Sequence, residues 1–513
     1  MRNRVIADSL PSLIIFIVAT ACDVSAQTPF RYDGTNFQGP TVTMHGLAAY
    51  DLDRNGRPVI VGSDDSGGVV TYRFDESGFG RSTTVVPGLQ VGQYRVVGGA
   101  PAVADVDGDG WLDCLVPTIS LLGGSGAQNL ILMNDRAGGW IADQSGRLPP
   151  LLDTTGCVVL FDADGDGDQD IFFGNAGEPN RLLLNDGRGY FADVSSTHLP
   201  GNVLSNTAVA AVDVDGDGDI DLVIANAYAP AGYAAYLLIN DGAGRFVAGQ
   251  RLLSGWSSGY GVAIGDIDRD GDSDIVVLMG GRLPMVWLND GAGLFVDRSV
   301  LLPGPGPGGG GSGTRAINLV DVDGDGWLDI VTPAGPMMIY QNQGGTGFVD
   351  RSLDWRPTNE PGAVSGPAVF ADFDLDGDVD MIARFSNFIG PRGIAFFPSL
   401  RRQIHVPAEV TPGTSLTITL NADAQHLAQA FLSLGATFVP LPGLGVLGLD
   451  PSSLTPLPPV AIGATRAATI ALPIPANPTL IGASVWFQAI EVGGSPVPSA
   501  HMTSWLRTKI RWP

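Results

Sequence analysis

Short apolar runs of four to six residues, rich in β-branched side chains, recur along the first four hundred residues, and acidic, glycine-containing turns interrupt them. Ala208–Val212 and Ile220–Ile224 flank one such turn, and Gly261–Ile264 and Ile275–Leu278 flank another. Runs this short with turn signals at both ends predict buried strands rather than helices. A second kind of turn follows 21 to 29 residues after the start of each of the first six acidic turns: Asp75-Glu-Ser-Gly78, Asn134-Asp135, Asn185-Asp186-Gly187, Asn240-Asp241-Gly242, Asn289-Asp290-Gly291 and Asn342-Gln-Gly344. Asn, Asp and Gly tolerate the positive φ of tight hairpin turns, so each marks a hairpin. One unit therefore reads strand, acidic loop, strand, strand, hairpin, strand.

The acidic loop occurs seven times. Its Asp-x-Asp-x-Asp/Asn-Gly core is Asp51, Asp53 and Asn55; Asp105, Asp107 and Asp109; Asp162, Asp164 and Asp166; Asp213, Asp215 and Asp217; Asp266, Asp268 and Asp270; Asp321, Asp323 and Asp325; and Asp372, Asp374 and Asp376. Six loops add a ninth-position aspartate: Asp113, Asp170, Asp221, Asp274, Asp329 and Asp380. The starts lie 54, 57, 51, 53, 55 and 51 residues apart, the period of a four-stranded blade and too long for a helical or leucine-rich solenoid. The pattern predicts an all-β chain: a seven-bladed β-propeller, whose radial closure leaves few open sheet edges. The seventh unit has no hairpin of its own, whereas Tyr32-Asp33-Gly34-Thr-Asn36-Phe37 stands spare before the first. The N-terminal segment is thus expected to supply the outer strand of the last blade.

Charge sharpens the picture. The net charge is -25, and of the 53 acidic residues only five are Glu, at 76, 178, 360, 409 and 491. A solubilising excess would use Glu as readily as Asp, so the aspartates serve a local purpose. Such acidity excludes unassisted binding to nucleic acid or anionic lipid. Lys509 is the only lysine, which leaves Schiff-base and P-loop chemistry almost without a candidate. After residue 402 the charges balance, and alternating Ser415–Leu420, Ala468–Leu472 and Ser484–Ala489 between Pro- and Gly-rich turns predict a small antiparallel β-sandwich over 403–513.

Residues 1–26 read as a secretory signal peptide: Arg2 and Arg4, an apolar stretch from Leu10 to Ala21, and Val24-Ser25-Ala26 before the expected cut. Cys22 would be the residue of a lipid anchor, but the leucine usual three positions earlier is absent. The mature propeller then spans 27–402. No segment has the run of about 18 apolar residues that a transmembrane helix needs. Cys114 and Cys157 sit in apolar runs and are expected as buried small residues, with a single bridge possible.

Asp at positions 1, 3, 5 and 9, with a glycine turn at 6, gathers three or four carboxylates around one point. A hard divalent cation taking six to eight oxygens resolves their repulsion, the position-7 carbonyl adding a neutral ligand. The absence of Glu at position 12 and of flanking helices excludes an EF-hand. The loops resemble the FG-GAP/VCBS repeats of bacterial extracellular proteins and the calcium-binding blades of integrin α subunits, over roughly residues 30–402. The resemblance implies six to seven Ca2+ ions held by the residues above, and a secreted or cell-surface monomer that binds an extracellular protein or carbohydrate. The first loop departs from the pattern, with Asn55 at position 5 and Val59 in place of the ninth aspartate, and is expected to be the weakest site.

Other motifs carry little. Gly255-Trp-Ser257-Ser-Gly259 has the nucleophile-elbow spacing but not its strand-to-helix context, and the glycine runs at 304–309 and 443–448 open no helix. His45, His198, His405, His426 and His501 have no metal spacing. Trp256, Tyr260 and Trp355 could stack on sugars or pack between blades. The expected function is an extracellular binding or adhesion module without catalysis. Its rivals are a propeller-type polysaccharide lyase, which needs a general base in a groove, and a purely structural cell-surface component.

Overall fold

The computed structural model describes residues 44–397 apart from several loops, chiefly 85–93, 96–99, 121–126, 304–315, 356–362, 374–378 and 387–392. It also describes most strands of 404–510, and Ala19–Thr20. The rest of the leader, the spare Tyr32–Phe37 turn, Asn55, Asp374, Asp376, Trp256, Ser257, His426 and the glycine runs at 304–309 and 443 lie outside the described residues. Two compact units divide the chain, one of Thr28–Phe373 with Val379–Pro398, the other holding Ser399–Pro513.

In the first unit every repeat folds as an antiparallel meander. The fourth shows the pattern: Val203–Val212, acidic loop, Asp221–Ala227, Tyr233–Asn240, hairpin, Phe246–Leu253. Repeats one to six have four strands each; the seventh has three among the described residues, Ala363–Ala371, Asp380–Ser386 and Gly393–Phe397. The third and fourth sheets are also joined: the far end of the second strand of one pairs with the first strand of the other, Ala176 and Glu178 opposite Ser205 and Leu204. Second strands such as Asp221–Ala227 and Asp274–Met279 are buried along their whole length. A strand covered on both faces loses the usual apolar–polar alternation, and this accounts for the continuous apolar runs in the sequence.

Packing between sheets supplies the core. Val61 and Val69 of repeat one meet Val116 and Leu132 of repeat two. Leu115 and Ile131 then meet Ile171 and Phe173 of repeat three, and Phe172 meets Ile224 and Leu238 of repeat four. The series continues from Val223 and Leu237 to Ile275 and Trp287, from Val276 to Ile330 and Tyr340, and from Val331 to Met381 and Ala383. A last cluster brings Val369, Phe373 and Ile382 of repeat seven against Leu47, Ile60 and Tyr72 of repeat one. Each repeat thus buries both faces of its sheet against neighbours, in a β-propeller-like arrangement. Each fully buried Val, Ile, Leu or Phe contributes about 1.5–3 kcal/mol. Tyr260 and Trp355 are absorbed into this packing, Trp355 beneath the Arg351 guanidinium. Cys114 and Cys157 are buried and are not joined in a disulfide. The described helices are one turn each, Ser195–His198 and Ser299–Leu301, and among the described residues none could cross a membrane.

The second unit is also all-β. Ser415–Asn421 pairs with Ala467–Pro473 and with Ile404–His405, and Ala19–Thr20 lies beside Ala467–Pro473. A further sheet is built on Ser484–Gly493, flanked by Leu427–Ser433 and Leu506–Ile510. Leu416, Ile418 and Leu420 alternate with polar neighbours and are buried with Ile470 and Leu472, as the sequence pattern requires.

Candidate metal centre

In repeats two to six the acidic loop joins the first strand to the second, and its turn is shaped by its own aspartates. The position-1 carboxylate accepts the position-6 N–H, as in Asp105 with Gly110 at 2.7 Å and Asp162 with Gly167 at 3.0 Å. The position-5 carboxylate accepts the position-7 N–H, as in Asp166 with Asp168 at 3.0 Å. Position 6 has φ of 94° at Gly167 and 101° at Gly271, a conformation that only glycine adopts freely.

The ninth aspartate is the hub. In repeats two to six one oxygen accepts the position-2 N–H and the other accepts the N–H of the hairpin asparagine. Asp170 takes Ala163 at 2.8 Å and Asn185 at 2.7 Å; Asp274 takes Ile267 at 2.8 Å and Asn289 at 2.9 Å. Asp113, Asp221 and Asp329 repeat the pattern, and Asp380 accepts Phe373 N–H at 3.0 Å. All six are buried. Burial pushes these carboxyls up, to about 6 in Asp113, Asp221 and Asp274, about 7 in Asp170 and about 8 in Asp329; neighbouring carboxylates add to the rise and the N–H bonds oppose it.

Five loops bring three carboxylates to within 4.8 Å of one another: Asp105, Asp107 and Asp113; Asp162, Asp164 and Asp170; Asp213, Asp215 and Asp221; Asp266, Asp268 and Asp274; and Asp321, Asp323 and Asp325. Two such charges repel by about 3.5 kcal/mol at an effective dielectric of ~20. Moreover Asp105 Oδ1, Asp107 Oδ1, Asp164 Oδ1 and Asp268 Oδ1 are buried and accept no hydrogen bond. Buried acceptors left unmatched at the centre of converging carboxylates fit a bound cation, and hard oxygen donors fit a hard ion.

The predicted ligands are not all gathered. Asp109, Asp166, Asp217 and Asp270 are exposed at the loop tips and fall outside these groups; Asp109 is held instead by Arg136, with Nε at 3.0 Å. In the first loop Asp51 is exposed and Asp53 is bound by Arg73. Asp372 lies beside undescribed Asp374 and Asp376, so the seventh loop forms no group among the described residues.

Sequence reasoning identifies the hairpin asparagines as turn formers only. Their side chains also tie repeats together. Asn185 Nδ2 donates to Val106 O of the preceding repeat at 2.8 Å and to Gln169 O at 3.0 Å, and Asn240, Asn289 and Asn342 reach Ala163 O, Val214 O and Ile267 O in the same way. Each links its own hairpin to the acidic loop before it. Recurrence at one place per repeat is the signal that could have revealed this. An Asp-x-Ser step after the outer strand also escapes sequence reasoning: Ser195, Ser299 and Ser352 Oγ accept N–H groups of Leu182, Val286 and Ile339.

A meander of blades, each carrying a carboxylate loop at one end, defines a repeat protein with acidic, metal-compatible loops. Three stretches, 162–224, 213–277 and 321–383, match the FG-GAP-like repeat family, and together they include the acidic loops of repeats three to seven. Cartilage acidic protein 1 of Mus musculus is 26% identical over 356 residues, covering 61% of this chain and 53% of that protein. The Homo sapiens protein of the same name is 26% identical over 350 residues, covering 61% and 51%. The chain therefore spans about half the length of the curated relatives it matches. Among solved structures, BBS1N in complex with ARL6DN is similar over 72% of this chain and 98% of that one, with 13% identity and a TM-score of 0.42.

Proposed function

We propose that this chain is an exported, calcium-stabilised seven-bladed β-propeller with a C-terminal β-sandwich, acting as an extracellular binding module for a protein or glycan and performing no catalysis. The observation that carries the reading is the recurrence of one loop, with buried unmatched carboxylate oxygens, at the same end of successive blades. The apolar cluster from repeat seven to repeat one supports closure of the ring with seven units. Calcium suits the oxygen-only donor set, since magnesium demands a stricter octahedron. The relatives' name, which refers to cartilage and to acidity, supports an extracellular setting and an acidic surface. Binding of the purified chain to a glycan and protein array, in calcium and in chelator, tests the proposal. Calcium-dependent capture of a defined ligand class is expected. Cleavage of an acidic polysaccharide would establish the lyase instead, and a silent array would favour a structural component.

A further inference from the structure

In the first repeat an arginine meets the position-3 carboxylate of the acidic loop. Arg73 Nε donates to Asp53 Oδ2 at 2.8 Å and Nη2 to Oδ1 at 3.1 Å, while Nη1 reaches Thr71 Oγ1 at 3.1 Å. The guanidinium therefore takes both oxygens of the position-3 carboxylate in a fork, the geometry in which arginine binds carboxylate best. In the second repeat Asp107 gives only one oxygen to an arginine, Arg147 at 3.4 Å, and keeps Oδ1 unmatched.

The register makes the substitution visible. Arg73 pairs with Gly80, the residue after Phe79, the place that Leu184 and Leu288 hold in repeats three and five by pairing with Ala192 and Val296, and Gln341 in repeat six by pairing with Val349. The apolar residues offer the loop nothing. Gln341 donates to Asp323 Oδ2 at 2.6 Å but brings no charge, and the sixth loop keeps its close carboxylate group. Of the residues at this place, only Arg73 brings a full positive charge to position 3, and only it takes both carboxylate oxygens.

The rest of the loop agrees. Its nine positions hold two carboxylates and two arginines, Arg54 and Arg57, before Arg73 is added. Val59 replaces the ninth aspartate and is buried in the cluster between repeats one and two. The position-2 N–H, which the ninth aspartate accepts elsewhere, goes to Tyr50 O at 3.0 Å.

Resting on the calcium reading above, we infer that the first loop is not a metal site and that Arg73 stands permanently in the place of the cation, so that the first repeat is metal-independent while repeats two to six are not. The sequence expectation of a weak site there is replaced by one of no site.

Counting bound calcium per chain by native mass spectrometry at millimolar calcium, with melting curves in chelator, tests the inference on the full chain. Asp53→Asn should leave the ion count unchanged, whereas Asp164→Asn, the matching change in repeat three, should lower it by one. Arg73→Leu should lower the melting temperature by about 2 °C or more even in chelator. Loss of one ion in Asp53→Asn, or no effect of Arg73→Leu in chelator, would overturn the inference. Should the wild type bind no calcium at all, the calcium reading fails, and the chelator melting curves still decide the role of Arg73.

Discussion

The two units of this chain are both all-β, yet they solve the problem of neutral folding in opposite ways. Residues 403–513 balance four acidic groups, Glu409, Asp423, Asp450 and Glu491, against Arg466, Arg507, Lys509 and Arg511. Among the described residues, the strand Ser415–Asn421 there alternates, with Leu416, Ile418 and Leu420 inside. The propeller-like unit carries the acidic excess and draws part of its order from it: the ninth aspartates collect N–H groups, and the loops turn on carboxylate bonds. Under the calcium proposal, the repulsion within the propeller loops is a cost only while no cation is bound.

The largest expected effect separates the units directly. Excess chelator should lower the melting temperature of the propeller transition strongly, because at 100 times the dissociation constant each site adds about 2.7 kcal/mol. The transition of the C-terminal unit should stay where it was. Differential scanning calorimetry with and without calcium checks this, and a parallel shift of both transitions would break the contrast. Ile470→Ala should do the reverse, removing about 2–5 kcal/mol from the C-terminal unit by leaving a cavity at a fully buried position. Calcium should not rescue it.

Asn240→Ala should destabilise the propeller by about 2–3 kcal/mol, since it leaves Ala163 O and Ile220 O without their donor. Urea titration of the variant in calcium measures the loss. A reversible effect concerns pH. Ninth aspartates raised to about 6 to 8 by burial are held above the ordinary value of 3.8, so the metal-free fold gains from their protonation. In chelator that stability is fully present below about pH 4 and is lost as pH rises through 6 to 8; in saturating calcium acid should instead weaken the fold by competing for the same oxygens. Melting temperatures at about pH 5 and 8 with and without calcium should therefore change in opposite directions. The smallest effect belongs to Trp327→Leu, which removes the face that the Arg269 guanidinium covers at 4.5 Å. About 0.5–1 kcal/mol is expected from urea titration.

What the sequence determined by itself is whatever lies within about ten residues. Asp-x-Asp-x-Asp-Gly dictates its own turn because the carboxylates reach their own N–H groups, and apolar runs such as Ile275–Leu278 dictate strands because both faces must be covered. The hairpins followed from Asn, Asp and Gly for the same local reason, and repetition turned one ambiguous loop into a legible architecture. Tertiary structure decided the rest. Asn185 meets Val106 O across 79 residues of sequence, and Asp53 meets Arg73 across 20. Neither partner carries a local signal, because an arginine in a strand and a carbonyl in a loop look the same whether they meet or not. Which aspartates converge was settled likewise: position 9 is drawn inward by two backbone donors, one in its own acidic loop and one at the end of the third strand, while the position-5 aspartates of repeats two to five stay at the exposed tip. Distance in sequence conceals these contacts, and the closing of one sheet against the next creates them.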